Sequence, residues 1–289
     1  MVRLSILGAL SALLLARSHA QDAAGKIAFN RAASGPYWIE VMNADGTDVK
    51  DLTDGWEPCW SPNGKRLAFV CNFTDGKDDV CIINADKTNR KRLTHSPEQD
   101  RYPAWSPDGD KIAFMSKRDG NFEIYVVGVD GSNETRLTRD EGPDRSPAWS
   151  PDSKRIAFES YREGSNDVYV MDADGSNVRK LTDGKESYSQ PAWSPDGQKL
   201  ALVRYLNNKY NLCVCATDGA DLKGLLENKH YIRHPVWSGD GKRLFFSGKE
   251  SSDADNEEVY TIEASGGAAT CLTADNKRRD KWHPAWAPR

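Results

Sequence analysis

Short runs in which apolar and polar residues alternate follow one another along most of the chain, and turn residues separate them. In residues 100–138 the runs are 102–106, 111–116, 123–128 and 133–138. The connections carry tight-turn residues, at Ser106-Pro-Asp-Gly109, Asp119-Gly120 and Asp130-Gly131. The pattern therefore predicts four short antiparallel strands joined by hairpins.

The same four-strand pattern recurs along the chain, each time with a Trp-Ser-Pro phrase or a close variant of it. Its tryptophans are 45, 44, 44, 44 and 49 residues apart, at Trp60, Trp105, Trp149, Trp193, Trp237 and Trp286. A fixed period of this size indicates an array of identical units, and four antiparallel strands per unit are typical of a propeller blade. Packing between neighbouring blades explains why tryptophan recurs at this position.

The two ends of the array are incomplete in complementary ways. Residues 26–53 carry the second to fourth strands of a unit, whereas residues 283–287 carry only a first strand. Closing the ring removes the unpaired edges. We therefore predict an all-β, six-bladed β-propeller with four antiparallel strands per blade, closed by the C-terminal strand joining the N-terminal blade. Within residues 21–289 the predicted blades are 25–53 with 281–289, 56–94, 100–138, 144–182, 188–226 and 232–273.

Residues 1–20 predict a cleaved secretory signal peptide. Arg3 is followed by an apolar run from Leu4 to Leu15 and then by Ser18-His19-Ala20, which has small residues at the cleavage positions. The alternative, a membrane anchor, is disfavoured because this run is well short of the roughly 20 residues that cross a bilayer. We expect a periplasmic or secreted protein without a membrane span.

Charge and cysteine content narrow the possibilities further. The chain has 39 Lys and Arg against 43 Asp and Glu, a net charge of −4, and loss of Arg3 and Arg17 with the signal leaves 37 against 43. An acidic balance argues against a general nucleic-acid binder. The six cysteines match no metal-binding spacing. Cys71 and Cys81 flank a turn and face each other across a hairpin, either as a disulfide or as buried thiols.

Polar residues of varied type precede the proline of each Trp-Ser-Pro strand. These residues are Glu57, Tyr102, Ser146, Gln190, His234 and His283, and the residues before them are Trp56, Arg101, Arg145, Ser189, Arg233 and Trp282. Because the first strand of a blade is innermost, we expect both sets around one mouth of the central channel. Trp, Tyr and Arg dominate many interface energies, so this mouth is the predicted binding site. The alternatives are a solvated rim without a partner, and a divalent metal site at His234 and His283.

The repeat resembles that of the TolB-like, WD-type six-bladed propellers. The resemblance covers residues 25–289, and its phrase is nearly intact in Asp167-Val-Tyr-Val-Met-Asp-Ala-Asp-Gly175 and Arg179-Lys-Leu-Thr182. It implies a propeller fold, and a role as a protein docking module, a peptidase appendage or, more rarely, a lyase. TolB itself carries an amino-terminal α/β domain, which we expect this chain to lack.

Sequence motifs do not favour catalysis. The chain contains no Gly-x-Ser-x-Gly pentad, no His-Glu-x-x-His and no phosphate loop. We predict a monomeric, non-catalytic propeller without a cofactor, which binds a protein or peptide in the cell envelope or extracellular space. The alternative is a metal-dependent lyase or hydrolase of an acidic oligosaccharide. In that case Arg101, Arg145 and Arg233 hold carboxylates, and a histidine-bound divalent metal, which the resemblance to the lyases implies, acidifies the reacting carbon.

Overall fold

The computed structural model describes residues 25–32, 36–72, 76–229, 231–249, 256–274 and 280–287. The predicted signal peptide, residues 1–20, lies outside these ranges. The described residues form strands, turns and connections without a helix. Accordingly, this part of the chain offers no helical segment of the length and apolarity needed to cross a bilayer.

Within these ranges, twenty-four strands form six four-stranded antiparallel sheets, the blades. The first blade contains β1 (Lys26–Arg31), β2 (Trp38–Asn43) and β3 (Lys50–Asp54), and the second β4 (Trp56–Trp60), β5 (Arg66–Asn72), β6 (Asp78–Asn84) and β7 (Lys91–Arg92). The third contains β8 (Asp100–Trp105), β9 (Lys111–Ser116), β10 (Glu123–Gly128) and β11 (Thr135–Arg136). The fourth contains β12 (Asp144–Trp149), β13 (Arg155–Ser160), β14 (Asp167–Asp172) and β15 (Arg179–Lys180). The fifth contains β16 (Ser187–Trp193), β17 (Lys199–Leu206), β18 (Lys209–Ala216) and β19 (Lys223–Lys229). The sixth contains β20 (Tyr231–Trp237), β21 (Arg243–Lys249), β22 (Glu258–Glu263) and β23 (Thr270–Cys271), and β24 (Lys281–Ala287) follows.

The last strand completes the first blade. β24 pairs antiparallel with β1, so that Trp286 lies opposite Ile27 and Ala285 opposite Ala28. The first strands of successive blades contact one another around the full circle, including β20 with β24 and β24 with β4. The predicted six-bladed ring and its closure are thus confirmed.

Large side chains of the repeated phrases fill the spaces between blades. Phe29, Phe69, Phe114, Phe158 and Phe245 are fully buried, and the tryptophans at 60, 105, 149, 193 and 237 are only 6–8% exposed. In three of these tryptophans the indole N–H also donates to an alanine carbonyl of the preceding blade, as in Trp149 Nε1 to Ala104 O at 3.1 Å. The tryptophan therefore ties neighbouring blades by both packing and hydrogen bonding.

The recurring Arg-x-Leu-Thr phrase, or its shorter form Arg-Leu-Thr, fastens the outermost strand of a blade. In the third blade, the Thr138 hydroxyl donates to the buried Glu123 carboxylate at 2.6 Å and accepts the Ile124 N–H at 2.9 Å. Arg136 forms an ion pair with the same carboxylate at 2.9 Å. Because β11 spans only two residues, these side-chain bonds replace a longer strand ladder.

The structure also decides between the two interpretations of the hairpin cysteines. Cys71 on β5 and Cys81 on β6 form a disulfide with their Cα atoms 6.0 Å apart. Four other cysteines, Cys59, Cys213, Cys215 and Cys271, are thiols.

Candidate binding site at the central channel

A β-bulge interrupts the first strand of every blade. In the third blade Arg101 pairs with Met115 and Ala104 with Ala113, so two residues, Tyr102 and Pro103, lie opposite a single residue of β9. The residue before the proline adopts a left-handed conformation in all six blades, with φ between 51° and 57°, at Glu57, Tyr102, Ser146, Gln190, His234 and His283. A bulge of this kind redirects a side chain out of the regular strand alternation.

The bulged residues form a constriction across the channel rather than the rim of its mouth, which is where the repeat pattern predicted them. Tyr102 on β8 and His234 on β20 belong to opposite blades, yet the Tyr102 Oη lies 3.4 Å from His234 Nε2. The rings of His234 and His283 stack with centroids 4.1 Å apart, and Tyr102 lies 5.4 Å from His283. Of the six bulged residues, all except Glu57 line cavities on both sides of the constriction.

Hydrogen bonds between blades hold the bulges. The Tyr102 N–H donates to the Glu57 carboxylate at 2.7 Å, and the His234 N–H donates to the Gln190 side-chain oxygen at 2.9 Å. The Glu57 N–H likewise donates to Asn30 Oδ1 at 3.0 Å. Each of these bonds joins a bulge to a side chain of the preceding blade, and so a left-handed non-glycine backbone is retained although it costs roughly 1–2 kcal/mol.

In the constriction Glu57 and His234 are buried and the other bulged residues are half-buried, and the constriction carries little charge. Burial raises the pKa of Glu57 to about 7, against the opposing effect of the Tyr102 N–H. Burial also lowers the pKa of His234 well below its usual value and that of His283 to about 3. Both imidazoles are therefore neutral at neutral pH.

This arrangement does not fit a divalent metal ion. The stacked rings of His234 and His283 are within 21° of parallel with centroids 4.1 Å apart, so their in-plane nitrogen lone pairs lie in two separate, nearly parallel planes and do not converge on one metal position. His234 already contacts Ser247 Oγ through Nδ1 at 3.2 Å and Tyr102 through Nε2. Nowhere in the described ranges do three His, Cys, Asp or Glu side chains gather in a metal-binding group.

On one side of the constriction lie two adjoining cavities of about 540 and 440 Å³, which together we call the vestibule. Both cavities are lined by Arg101, Tyr102 and Arg233. The predicted flanking residues Trp56, Arg101, Arg145, Ser189, Arg233 and Trp282 all line the vestibule. The structure thus brings both predicted sets of residues together, one at the constriction and the other just beyond it.

The three arginines of the vestibule have different surroundings. Arg101 forms an ion pair with Asp78, with Nε 2.8 Å from Oδ2. Arg145 packs over the Phe122 ring at 5.4 Å, and its buried Nε has no hydrogen-bond partner. Arg233 is exposed and lies over the Tyr231 ring at 4.3 Å.

An aromatic corner borders the smaller of the two vestibule cavities. Tyr37 makes edge-to-face contacts with Trp56 and Trp282, with centroids 5.7 and 5.6 Å apart, and is 47% exposed. Beside it lies Glu257, which is buried, has an oxygen without a hydrogen-bond partner, and has its pKa raised to about 7 by that burial. An exposed aromatic group beside unsatisfied polar atoms is a typical composition for a recognition surface.

The repeat pattern did not point to Tyr37, Glu257 or Glu159, although a signal for Glu159 was present in the sequence. The residue after the repeated Phe or its equivalent is Asn30, Val70, Met115, Glu159, Val203 or Ser247. The polar members contact bulged residues: Asn30 accepts the Glu57 N–H, Ser247 meets His234, and the Gln190 N–H bonds to Glu159. Comparing this position across the repeats would have identified it as part of the site.

The opposite side of the constriction is an apolar funnel of about 500 Å³. Proline, alanine and tryptophan residues of the Trp-Ser-Pro strands form most of its wall, and none of the described residues lining it is Asp, Glu, Lys or Arg. Charge and hydrogen-bonding capacity therefore concentrate in the vestibule.

Comparisons with known proteins agree with this architecture. The family profile of the TolB beta propeller domain matches residues 24–289. The Tol-Pal system protein TolB of Alcanivorax borkumensis is 32% identical over 98 residues, which are 32% of this chain and 23% of that protein. The aligned region thus spans less than a quarter of that relative.

Solved structures show the same fold. TolB from Acinetobacter baumannii is similar with a TM-score of 0.82 and 24% identity, covering 93% of this chain and 68% of that one. An oligogalacturonate lyase in complex with manganese has a TM-score of 0.62 and 17% identity, covering 86% and 73%. Since the family profile extends over nearly the whole chain and the strands form its six-bladed ring, the chain belongs to the TolB beta propeller domain family.

Proposed function

We propose that this chain is an exported, monomeric, non-catalytic propeller that binds a protein or peptide of the cell envelope through the vestibule. The observation that carries the proposal is the composition of that one surface. It combines the aromatic residues Tyr37, Trp56 and Trp282 with Arg145 and Arg233 around the two adjoining cavities. Such anchors provide most of the energy of many protein interfaces.

Three further observations support export and a role in the envelope. Residues 1–20 have the pattern of a secretory signal, and the Cys71–Cys81 disulfide is of a kind that persists in oxidising compartments. The similarity to a Tol-Pal system protein favours the periplasm over the external medium.

The alternative function is that of a metal-dependent lyase or hydrolase of an acidic oligosaccharide. It is favoured by the fold similarity to an oligogalacturonate lyase and by the vestibule arginines. It is disfavoured by His234 and His283, whose stacked rings do not converge on a metal position. A binding role therefore agrees better with the geometry.

Affinity capture from the native envelope extract tests the proposal. The immobilised mature chain is compared with the triple variant Tyr102→Ala, Arg145→Ala, His234→Ala, after circular dichroism has shown that both are folded. The matched control is Arg139→Ala with Tyr161→Ala, since both residues are exposed and neither lines the vestibule. We expect a protein that the parent and the control retain and the triple variant loses.

Equal retention by all three proteins, or no retained protein, would contradict the proposal. In either case metal analysis and turnover of an acidic oligosaccharide test the alternative. Stoichiometric manganese or zinc with measurable cleavage would establish an enzyme instead.

A further inference from the structure

Among the vestibule arginines, two are available to a ligand. Arg101 is already neutralised, since both its Nε and a terminal nitrogen bond to the Asp78 carboxylate. Among the described residues, Arg145 and Arg233 make no ion pair, and Arg145 Nε is buried without an acceptor. A buried N–H without a partner is costly, and an incoming acceptor removes that cost.

The setting of these two guanidinium groups favours a planar anion. Each lies over an aromatic ring, Arg145 over Phe122 at 5.4 Å and Arg233 over Tyr231 at 4.3 Å, and a guanidinium group in such a contact keeps the N–H groups of its edge for hydrogen bonding. An edge of this kind bonds a carboxylate through two parallel hydrogen bonds.

Glu159 provides the balancing charge when no ligand is present. It is only 7% exposed, it lies opposite Arg145 in the strand pairing, and both Arg145 and Arg233 act electrostatically on it. Burial nevertheless raises the pKa of its carboxyl group. Because Arg145 and Arg233 are two cationic groups beside this one carboxyl group, this half of the vestibule retains a net positive character in a chain whose overall charge is −4.

We propose that Arg145 and Arg233 bind an acidic side chain of a peptide segment of the partner, an inference that rests on the proposed function. The smaller cavity of the vestibule favours a peptide over an acidic polysaccharide. It contains Glu257 and Asp280 beside Trp282. A polymer with a carboxylate on every unit would bring like charges to these acids, whereas a peptide combines one acidic residue with neutral or basic neighbours.

Binding of defined probes tests this proposal. The probes are a short labelled peptide with a central pair of glutamates beside a tyrosine, the same peptide with glutamines, and a labelled oligomer of a uronic acid. Fluorescence anisotropy at low ionic strength measures their dissociation constants for the mature chain, for Arg145→Gln and Arg233→Gln, and for the control Arg139→Gln.

We expect the glutamate peptide to bind about tenfold tighter than the glutamine peptide. Each vestibule variant should remove this preference, and Arg139→Gln should keep it. Equal binding of the two peptides overturns the proposal, as does a preference that survives both substitutions. Tighter binding of the uronic acid oligomer than of the glutamate peptide overturns the peptide assignment and favours the alternative function.

The two proposals fail separately. If a protein is captured through the vestibule but Arg145→Gln and Arg233→Gln retain it, docking stands and the acidic contact is wrong. If the glutamate preference depends on both arginines but nothing is captured, the carboxylate site stands and the envelope docking role fails.

Discussion

Tyr102 and His234 meet across the centre of the ring from opposite blades, with Tyr102 Oη 3.4 Å from His234 Nε2. A single aromatic side chain therefore spans most of the channel and separates the charged vestibule from the apolar funnel. The stacked pair His234 and His283 forms the surface against which it rests.

Removing the Tyr102 ring should cost more stability than removing its hydroxyl. We expect Tyr102→Ala to lower the free energy of unfolding by about 2–3 kcal/mol, because packing against both histidines is lost. Tyr102→Phe should cost less than about 1 kcal/mol, since the hydroxyl contact is long for a hydrogen bond. Urea denaturation measures both, and equal losses would show that the hydroxyl contact dominates.

The buried carboxyl of Glu57 should make stability depend on pH. Its pKa is about 7 in the folded chain and 4.5 ordinarily, so between these values the folded state binds a proton that the unfolded state has released. The free energy of unfolding of the parent chain, relative to that of Glu57→Gln, should consequently fall by about 1–3 kcal/mol as pH rises from 4.5 to 7. The comparison isolates Glu57, because Glu57→Gln keeps an acceptor for the Tyr102 N–H and because His234 and His283, whose lowered pKa values act in the opposite direction, are present in both chains.

The control for this titration is Glu98→Gln, an exposed glutamate that does not line the constriction. Its profile should parallel that of the parent chain. Because Glu257 also has its pKa raised to about 7, some slope should remain in Glu57→Gln. An unchanged slope in Glu57→Gln would contradict the assignment.

Two equivalent tryptophans should differ in their contribution to stability. Trp149 Nε1 donates to Ala104 O at 3.1 Å, whereas Trp60 Nε1 is buried without a hydrogen-bond partner. Both side chains are similarly buried, at 7% and 6% exposure. Trp149→Phe should therefore destabilise the chain by about 1–2 kcal/mol more than Trp60→Phe, as measured by denaturant unfolding. Equal costs would mean that packing alone ties the blades.

The Cys71–Cys81 disulfide should contribute measurably to stability. Reduction of the parent chain should lower its free energy of unfolding by about 2–3 kcal/mol, because the reduced unfolded chain is less constrained. The double variant Cys71→Ala, Cys81→Ala should be insensitive to reductant, which isolates this bond from the other thiols. Mass spectrometry of the unreduced digest should identify the linked peptides, and their absence would contradict the pairing.

The ring could be predicted from the sequence because its cause is repeated. A tryptophan, a Pro-Asp-Gly turn or a close variant of it, and a buried Phe recur in most units, so one unit's strands could be checked against the next. The closure by β24 followed from two incomplete ends that complement each other. Local patterning and packing agree here, as expected of a chain in which each level supports the same fold.

The constriction could not be predicted in the same way. A residue that precedes proline is ordinarily extended, so nothing local to Tyr102 indicates a left-handed backbone. That conformation is held by the Glu57 carboxylate of another blade, 45 positions earlier in the chain. The aromatic corner similarly depends on Tyr37, which meets Trp56 and Trp282 only after the ring has closed.

The pairing of β24 with β1 has a consequence for the folding kinetics of the chain. It joins segments such as Ile27 and Trp286 that lie at opposite ends of the sequence, so the contact of greatest sequence separation is also the one that completes a blade. Contacts of this kind require a large loop-closure entropy and tend to form late and slowly. Until β24 docks, β1 presents an unpaired edge, and a chain delayed at that stage is exposed to intermolecular strand pairing.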